Sequence, residues 1–190
     1  MAAEADLVAQ LQRGSEAAFR TLVERYQDRV YRVVLFLLRS PEEAEDVAQE
    51  VFIEVHQTIG RFRGDAALST WLYRVATSRA LKNLRRARTK KRFAYVTSLL
   101  GFGNDVVHDV PNHAHPLALL EDQQQLGLLL DYIARLPGTQ QVAFTLRYEQ
   151  ELSYEEIAAV LDTTVPAVES LLFRARKTLR HQLQPHFRHG

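Results

Sequence analysis

The chain has 190 residues, no cysteine, a hydrophobic fraction of 46% and a formal net charge of +1, which excludes a disulfide scaffold, a Cys-based zinc site and a thiol redox sensor, and argues for a folded protein. The start, MAAEADLVAQLQRG, has neither a basic leader nor an apolar core, and the longest apolar run, Val33 to Leu38, is far short of the roughly 20 residues a membrane crossing needs. No membrane insertion and a cytoplasmic location are therefore expected. The small net charge conceals strong blocks. Residues 1–60 carry 6 basic and 11 acidic residues (−5), 61–95 carry 11 and 1 (+10), 96–170 carry 2 and 11 (−9), and 171–190 carry 5 and none (+5).

Helical periodicity with start and stop signals recurs along the chain and no period-two segment interrupts it, so the fold is predicted to be all-α. A short helix from about Ala3 stops at Gly14. Ser15 caps a second helix with an apolar stripe through Phe19, Leu22, Val23, Tyr26, Val30, Val33, Val34 and Leu37. Ser40-Pro41-Glu42-Glu43 starts a third, from about Pro41 to Ile59, because Ser40 can accept from the first turn and Pro41 lacks only an N–H that is unused there. That helix buries Ala44, Val47, Ala48, Val51, Phe52, Val55 and Ile59, leaving Asp46, Gln49, Glu50, Ile53, Glu54 and Gln57 on the other side. A polar face with one aliphatic anchor, Ile53, suits a protein interface.

Gly60 and Gly64 bracket a loop, after which Ser69 or Thr70 caps a long basic helix reaching about Arg92. Phe62, Trp71 and Tyr73 are threaded through this cationic stretch. Cations neutralise phosphates while flat rings stack on unpaired bases, so the stretch is expected to contact nucleic acid. Arg74, Ser78, Lys82, Arg85 and Arg86 recur at three- and four-residue spacing and share one face. The Phe62-Arg63-Gly64-Asp65 loop offers a ring, a cation, a close backbone approach and an acceptor, which together fit one extruded base. For Trp71 alone, a core position is the commoner fate of an aromatic at a helix start.

Residues 93–115 show no sustained period and are assigned as a linker between a first domain, 1–92, and a second, 116–190. A helix is predicted from Pro116 to Leu136, and another is capped by Thr139 after Pro137-Gly138. Ser153 and Glu156 form a capping box, Asp162-Thr163-Thr164 turns the chain, and a helix follows from Val165. This is a helix-turn-helix layout whose outward residues are Ala167, Glu169, Ser170, Phe173, Arg174 and Lys177.

Three strings, SPEEAEDVAQEVFIEVHQTIGRFRG, STWLYRVATSRALKNLRRAR and LSYEEIAAVLDTTVPAVESLLFRARKTL, in this order and at these distances, resemble the extracytoplasmic-function class of bacterial RNA polymerase sigma factors. The resemblance covers Ser15 to Arg92 and Pro116 to Leu183. It implies two small helical domains on a flexible linker, core RNA polymerase and promoter DNA as partners, an anti-sigma factor as a regulator, and no catalytic residues. By the same resemblance, Asp46, Gln49, Glu50, Ile53, Glu54 and Gln57 face the polymerase clamp helices. Phe62, Arg63, Gly64, Asp65, Trp71, Tyr73, Arg74, Ser78, Lys82, Arg85 and Arg86 read and open the minus-ten element. The outward residues of the last helix read the minus-thirty-five element. Ser78 stands where many relatives carry Asn, and Glu169 and Leu171 where Lys and Arg often appear, so Glu169 is expected to accept from a cytosine amino group.

Extended, the 23 linker residues from Phe93 to His115 span at most about 75 Å, or roughly 20 base pairs at 3.4 Å each, enough for one chain to touch both elements. No cofactor or metal is expected. His56 lies two residues from Glu54 and faces away from it on a helix, and the linker histidines His108, His113 and His115 are read as incidental. A free-standing helix-turn-helix repressor is the alternative reading. A nuclease ranks last, because the basic stretch contains only Asp65 as a carboxylate.

Overall fold

A computed structural model describes residues 2–99 and 123–185, and every regular element among them is helical. Helix α1 (Ala2–Gln12) ends at Gly14, whose φ of 79° lies in the left-handed region glycine occupies without strain. Ser15 Oγ accepts from Ala18 N–H to start α2 (Glu16–Leu38), and Ser40 Oγ accepts from Glu43 N–H to start α3 (Pro41–Thr58), so both predicted caps form. A 3-10 turn (Ile59–Arg61) and a loop lead to α4 (Leu68–Leu99).

Helices α2, α3 and α4 pack mutually. Their shared core holds Leu22, Val30, Val33, Leu37, Val51, Val55, Leu68 and Leu72, none more than 1% exposed, and each such side chain stabilises by about 1.5–3 kcal/mol relative to exposure. Leu7 and Leu11 bring α1 onto this core. α1 also supplies a cap from a distance, because Glu4 Oε1 accepts from Leu68 N–H at 2.7 Å. With that donor satisfied, α4 starts at Leu68, and Ser69 and Thr70 lie inside its first turn instead of capping it. α4 also runs seven residues beyond the predicted stop at Arg92.

The second module comprises α5 (Gln123–Ala134), α6 (Gly138–Tyr148), α7 (Tyr154–Leu161) and α8 (Val165–Leu183). Residues 116–122, where the predicted helix from Pro116 begins, lie outside the described residues. α6 begins at Gly138 with Pro137 in the capping position and no side-chain cap, so Thr139 falls inside it. The Ser153–Glu156 capping box forms in both directions, at 2.8 and 3.1 Å, and Asp162 turns the chain in the left-handed region before Thr164 caps α8.

The two modules share one continuous buried core. α6 lies on α2 and α7 on α4, while Phe36 of α2 packs with Leu130, Ile133, Leu136, Ala175 and Leu179. The α2 carboxyl end is closed across this junction: Gln141 Nε2 donates to the Leu37 carbonyl at 3.0 Å, one of the last-turn carbonyls that lack an intrahelical partner. Arg39 pairs with Asp131, and Tyr73 Oη donates to Gln150 Oε1 at 2.8 Å.

Candidate nucleic-acid and polymerase interfaces

The loop after the 3-10 turn is held from α1, where Gln12 Nε2 donates to the Phe62 carbonyl at 2.8 Å. Gly64, at φ 76°, supplies a left-handed turn there. Phe62 then meets Trp71 with ring centroids 5.3 Å apart and planes at 46°. The two rings border a cavity of about 400 Å³ lined by Arg61, Phe62, Arg63, Asp65, Ala66, Trp71, Arg74 and Ala159. Aromatic walls, cations at the rim and one carboxylate acceptor give this cavity the chemistry to hold a flat, hydrogen-bonding ring attached to a phosphate backbone. Phe62, Arg63, Asp65, Trp71 and Arg74 are thus brought together. Arg61 joins them although the sequence argument passed over it, despite its place at the head of the basic run.

Beyond the cavity, Arg74, Ser78, Lys82, Arg85 and Arg86 are all exposed along α4, a cationic track uninterrupted by acids. Tyr73 departs from the expectation. It is 3% exposed, and desolvation pushes its phenol above the ordinary value of 10.0. Its position one residue from Arg74 turns it into the core, where Gln150 Oε1 accepts a hydrogen bond from its hydroxyl. Arg79, next to Ser78, turns the other way and reaches across to Glu50 at 2.9 Å and to Glu54. Hydrogen bonding to Glu54 foremost holds its guanidinium above its already high ordinary range.

On α3, Asp46, Gln49, Glu50, Ile53 and Gln57 are exposed and Glu54 is half-buried. Ile53 is 58% exposed. With Gln49 it forms one wall of a groove of about 640 Å³ between α2 and α3, completed by Val23, Gln27, Asp28, Tyr31, Glu45, Ala48 and Phe52. Glu50 and Glu54 were expected to be open to a partner, but Arg79 already engages both. The α2 wall was not visible in the sequence, since only the tertiary pairing sets Val23 and Tyr31 opposite Ile53.

On α8, Glu169, Ser170, Phe173, Arg174 and Lys177 are exposed and Ala167 is half-buried. Phe173 is 62% exposed, unusual for so large an apolar side chain on an otherwise polar face. Arg174 Nε donates to the Ser170 carbonyl one turn back, at 3.2 Å. The second helix of a helix-turn-helix presented in this way, with apolar, acidic and basic groups together, can enter a major groove. Among the described residues no helix is long and apolar enough to cross a membrane, and no group of three or more His, Cys, Asp or Glu could hold a metal. His108, His113 and His115 lie outside the described residues.

Comparison with known proteins places a family match on each of the two modules. Residues 22–90 match the family described as Sigma-70 region 2, and residues 126–179 match Sigma-70, region 4. The chain is 36% identical over 182 residues to the RNA polymerase sigma-H factor of Pseudomonas aeruginosa, covering 94% of this chain and 93% of that protein. It is 34% identical over 179 residues to the ECF RNA polymerase sigma-E factor of Escherichia coli K12, with the same coverage of 94% and 93%. Among solved structures, CnrH in complex with the cytosolic domain of CnrY superimposes with a TM-score of 0.69 at 22% identity, over 96% of this chain and 98% of that one. The sigma factor RpoE, in complex with the anti-sigma factor NepR from Bartonella quintana, gives 0.62 at 20%, over 87% and 96%. These two structural likenesses speak to the fold. With two family regions matched in order and curated relatives matched over nearly their whole length, the chain belongs to the extracytoplasmic-function class of sigma-70 family transcription initiation factors.

Proposed function

We propose that this sigma factor binds core RNA polymerase through the α2–α3 groove, with Gln49 and Ile53 as its centre and Asp46 and Gln57 at its rim, and opens promoter DNA along α4. In this reading Phe62 and Trp71 hold one base pulled from the melting duplex, with Arg63, Asp65 and Arg74 around it. Ser78, Lys82, Arg85 and Arg86 track the phosphates. The exposed face of α8 reads the minus-thirty-five element, where Glu169 accepts from a cytosine amino group and Phe173 packs on a thymine methyl. The chain acts as a specificity subunit with no catalysis of its own, and it works in the cytoplasm alongside the polymerase. An anti-sigma factor that covers the α2–α3 groove would silence it.

The observation that carries this reading is the order of parts: a partner groove, an aromatic and cationic cavity, a basic track and an exposed recognition helix, on the two modules that match regions 2 and 4. A free-standing repressor would have no use for the groove. Run-off transcription with purified core polymerase tests the proposal. Specific transcripts that require the added protein support it, and tight promoter binding with no effect on the polymerase overturns it.

A further inference from the structure

Helix α1 holds both ends of the loop that carries the aromatic cavity. At its carboxyl end, Gln12 Nε2 donates to the Phe62 carbonyl at 2.8 Å and to the Ile59 carbonyl at 3.4 Å, so one amide spans the 3-10 turn that leads into the loop. At its amino end, Glu4 Oε1 accepts from Leu68 N–H at 2.7 Å, where the loop becomes α4. Leu7 and Leu11, between these two positions, are 8% and 4% exposed and seat α1 on the core. Arg63, Gly64, Asp65 and Ala66, between the two anchors of the loop, make no hydrogen bond among the described residues. Their arrangement is therefore set from the ends.

Extended, the six residue steps from Phe62 to Leu68 could spread to about 20 Å. Glu4 and Gln12 are eight residues apart on one helix, about 12 Å along its axis, a spacing the helix keeps fixed. We propose that α1 is a strut for the base-holding loop, and that Gln12 and Glu4 are positioning residues that set how strictly the minus-ten element is read. The inference rests on the sigma-factor reading above. Neither residue lines the cavity, and both act through the loop. A wall fixed at both ends excludes a base of the wrong shape, whereas a loose wall re-packs around several. The strut lies ahead of residues 22–90, the segment that matches region 2, although the loop it holds lies within that segment.

Gln12 is exposed and Glu4 half-buried, so both can be changed without opening the core. Gln12→Met and Glu4→Met keep a long side chain of high helix propensity and remove the donor or the acceptor. Glu4→Gln keeps an oxygen that accepts from Leu68 N–H, and circular dichroism of each variant establishes that it is folded. Trp71 is the single tryptophan of the chain and packs on Phe62, so its fluorescence reports the loop directly. Quenching of Trp71 by acrylamide should rise in both methionine variants and stay at the wild-type level in Glu4→Gln.

Specificity is read by transcription with core polymerase from a promoter library randomised at both elements, followed by sequencing of the transcribed templates. Losing one net hydrogen bond makes the loose form of the loop about fivefold more populated, and a base admitted only by the loose form gains by that factor. At the most selective minus-ten position, enrichment of the preferred base over the least preferred should therefore contract about fivefold in Gln12→Met and in Glu4→Met. It should recover in Glu4→Gln, with preferences at the minus-thirty-five element unchanged throughout. A merely less stable protein would make fewer transcripts with unaltered preferences. Unchanged minus-ten preferences in either folded methionine variant, or equal flattening of both elements, overturns the strut. The sigma-factor reading fails separately, by the absence of polymerase-dependent transcripts from the wild-type protein.

Discussion

Gln141 and Leu37, 104 positions apart, are joined by a buried hydrogen bond in which the glutamine amide satisfies a carbonyl at the end of α2. Both residues are within 1% of complete burial. Gln141→Glu keeps the shape and the second oxygen but replaces the donating amide with an acceptor facing the Leu37 carbonyl, so a loss of at least about 1–3 kcal/mol is expected. Urea unfolding followed by circular dichroism measures it. An unchanged midpoint would mean that the carbonyl finds another donor.

Ile53 is 58% exposed and stands in one wall of the α2–α3 groove, outside the buried core. Ile53→Asp should therefore leave the thermal midpoint within about a degree or two, since surface changes away from special features stay within roughly 0.5 kcal/mol. Affinity for core polymerase should fall at least about thirtyfold, the 2 kcal/mol expected of an interface hot spot. Fluorescence anisotropy titration of labelled protein with core polymerase separates the two effects.

Arg85 and Arg86 are exposed on the same stretch of α4. If each engages one phosphate, replacing both with alanine reduces the slope of log affinity against log salt by about two units, at roughly 0.9 per contact on duplex DNA. Titrations of a promoter fragment bound by the holoenzyme at several salt concentrations give the slope directly. An unaltered slope would remove this face from the proposed phosphate track.

Glu149 is held above its ordinary carboxyl value of 4.5, chiefly by burial, with the Arg32 charge opposing the shift. Burying an ionised carboxylate costs stability, and that cost is present above the raised value and absent below 4.5. Glu149→Gln should therefore be more stable than wild type at neutral pH, and the difference should shrink as pH falls through the raised value. Urea midpoints of both proteins at several pH values check the sign. A variant less stable at pH 7 would mean that the Arg32 pairing outweighs burial.

What the sequence made legible was local. The caps at Ser15, Ser40 and Ser153 need only neighbouring residues, and the outward faces of α3 and α8 follow from helical period alone. The misread features depend on distant partners. α4 starts early because Glu4 fills its first donor from another helix, and the hydroxyl of Tyr73 is satisfied in the core only because the second module supplies Gln150; Thr139 is a local exception, since Pro137 already takes the capping position of α6.

The central claim is that this chain redirects where RNA synthesis begins. Mapping the 5′ ends of transcripts made from genomic DNA by core polymerase, with and without the protein, tests it most directly. The account predicts a new set of start sites that share two sequence elements about two helical turns apart, and their loss with Ile53→Asp. The same start sites with and without the protein, from a polymerase that binds it, would contradict the account.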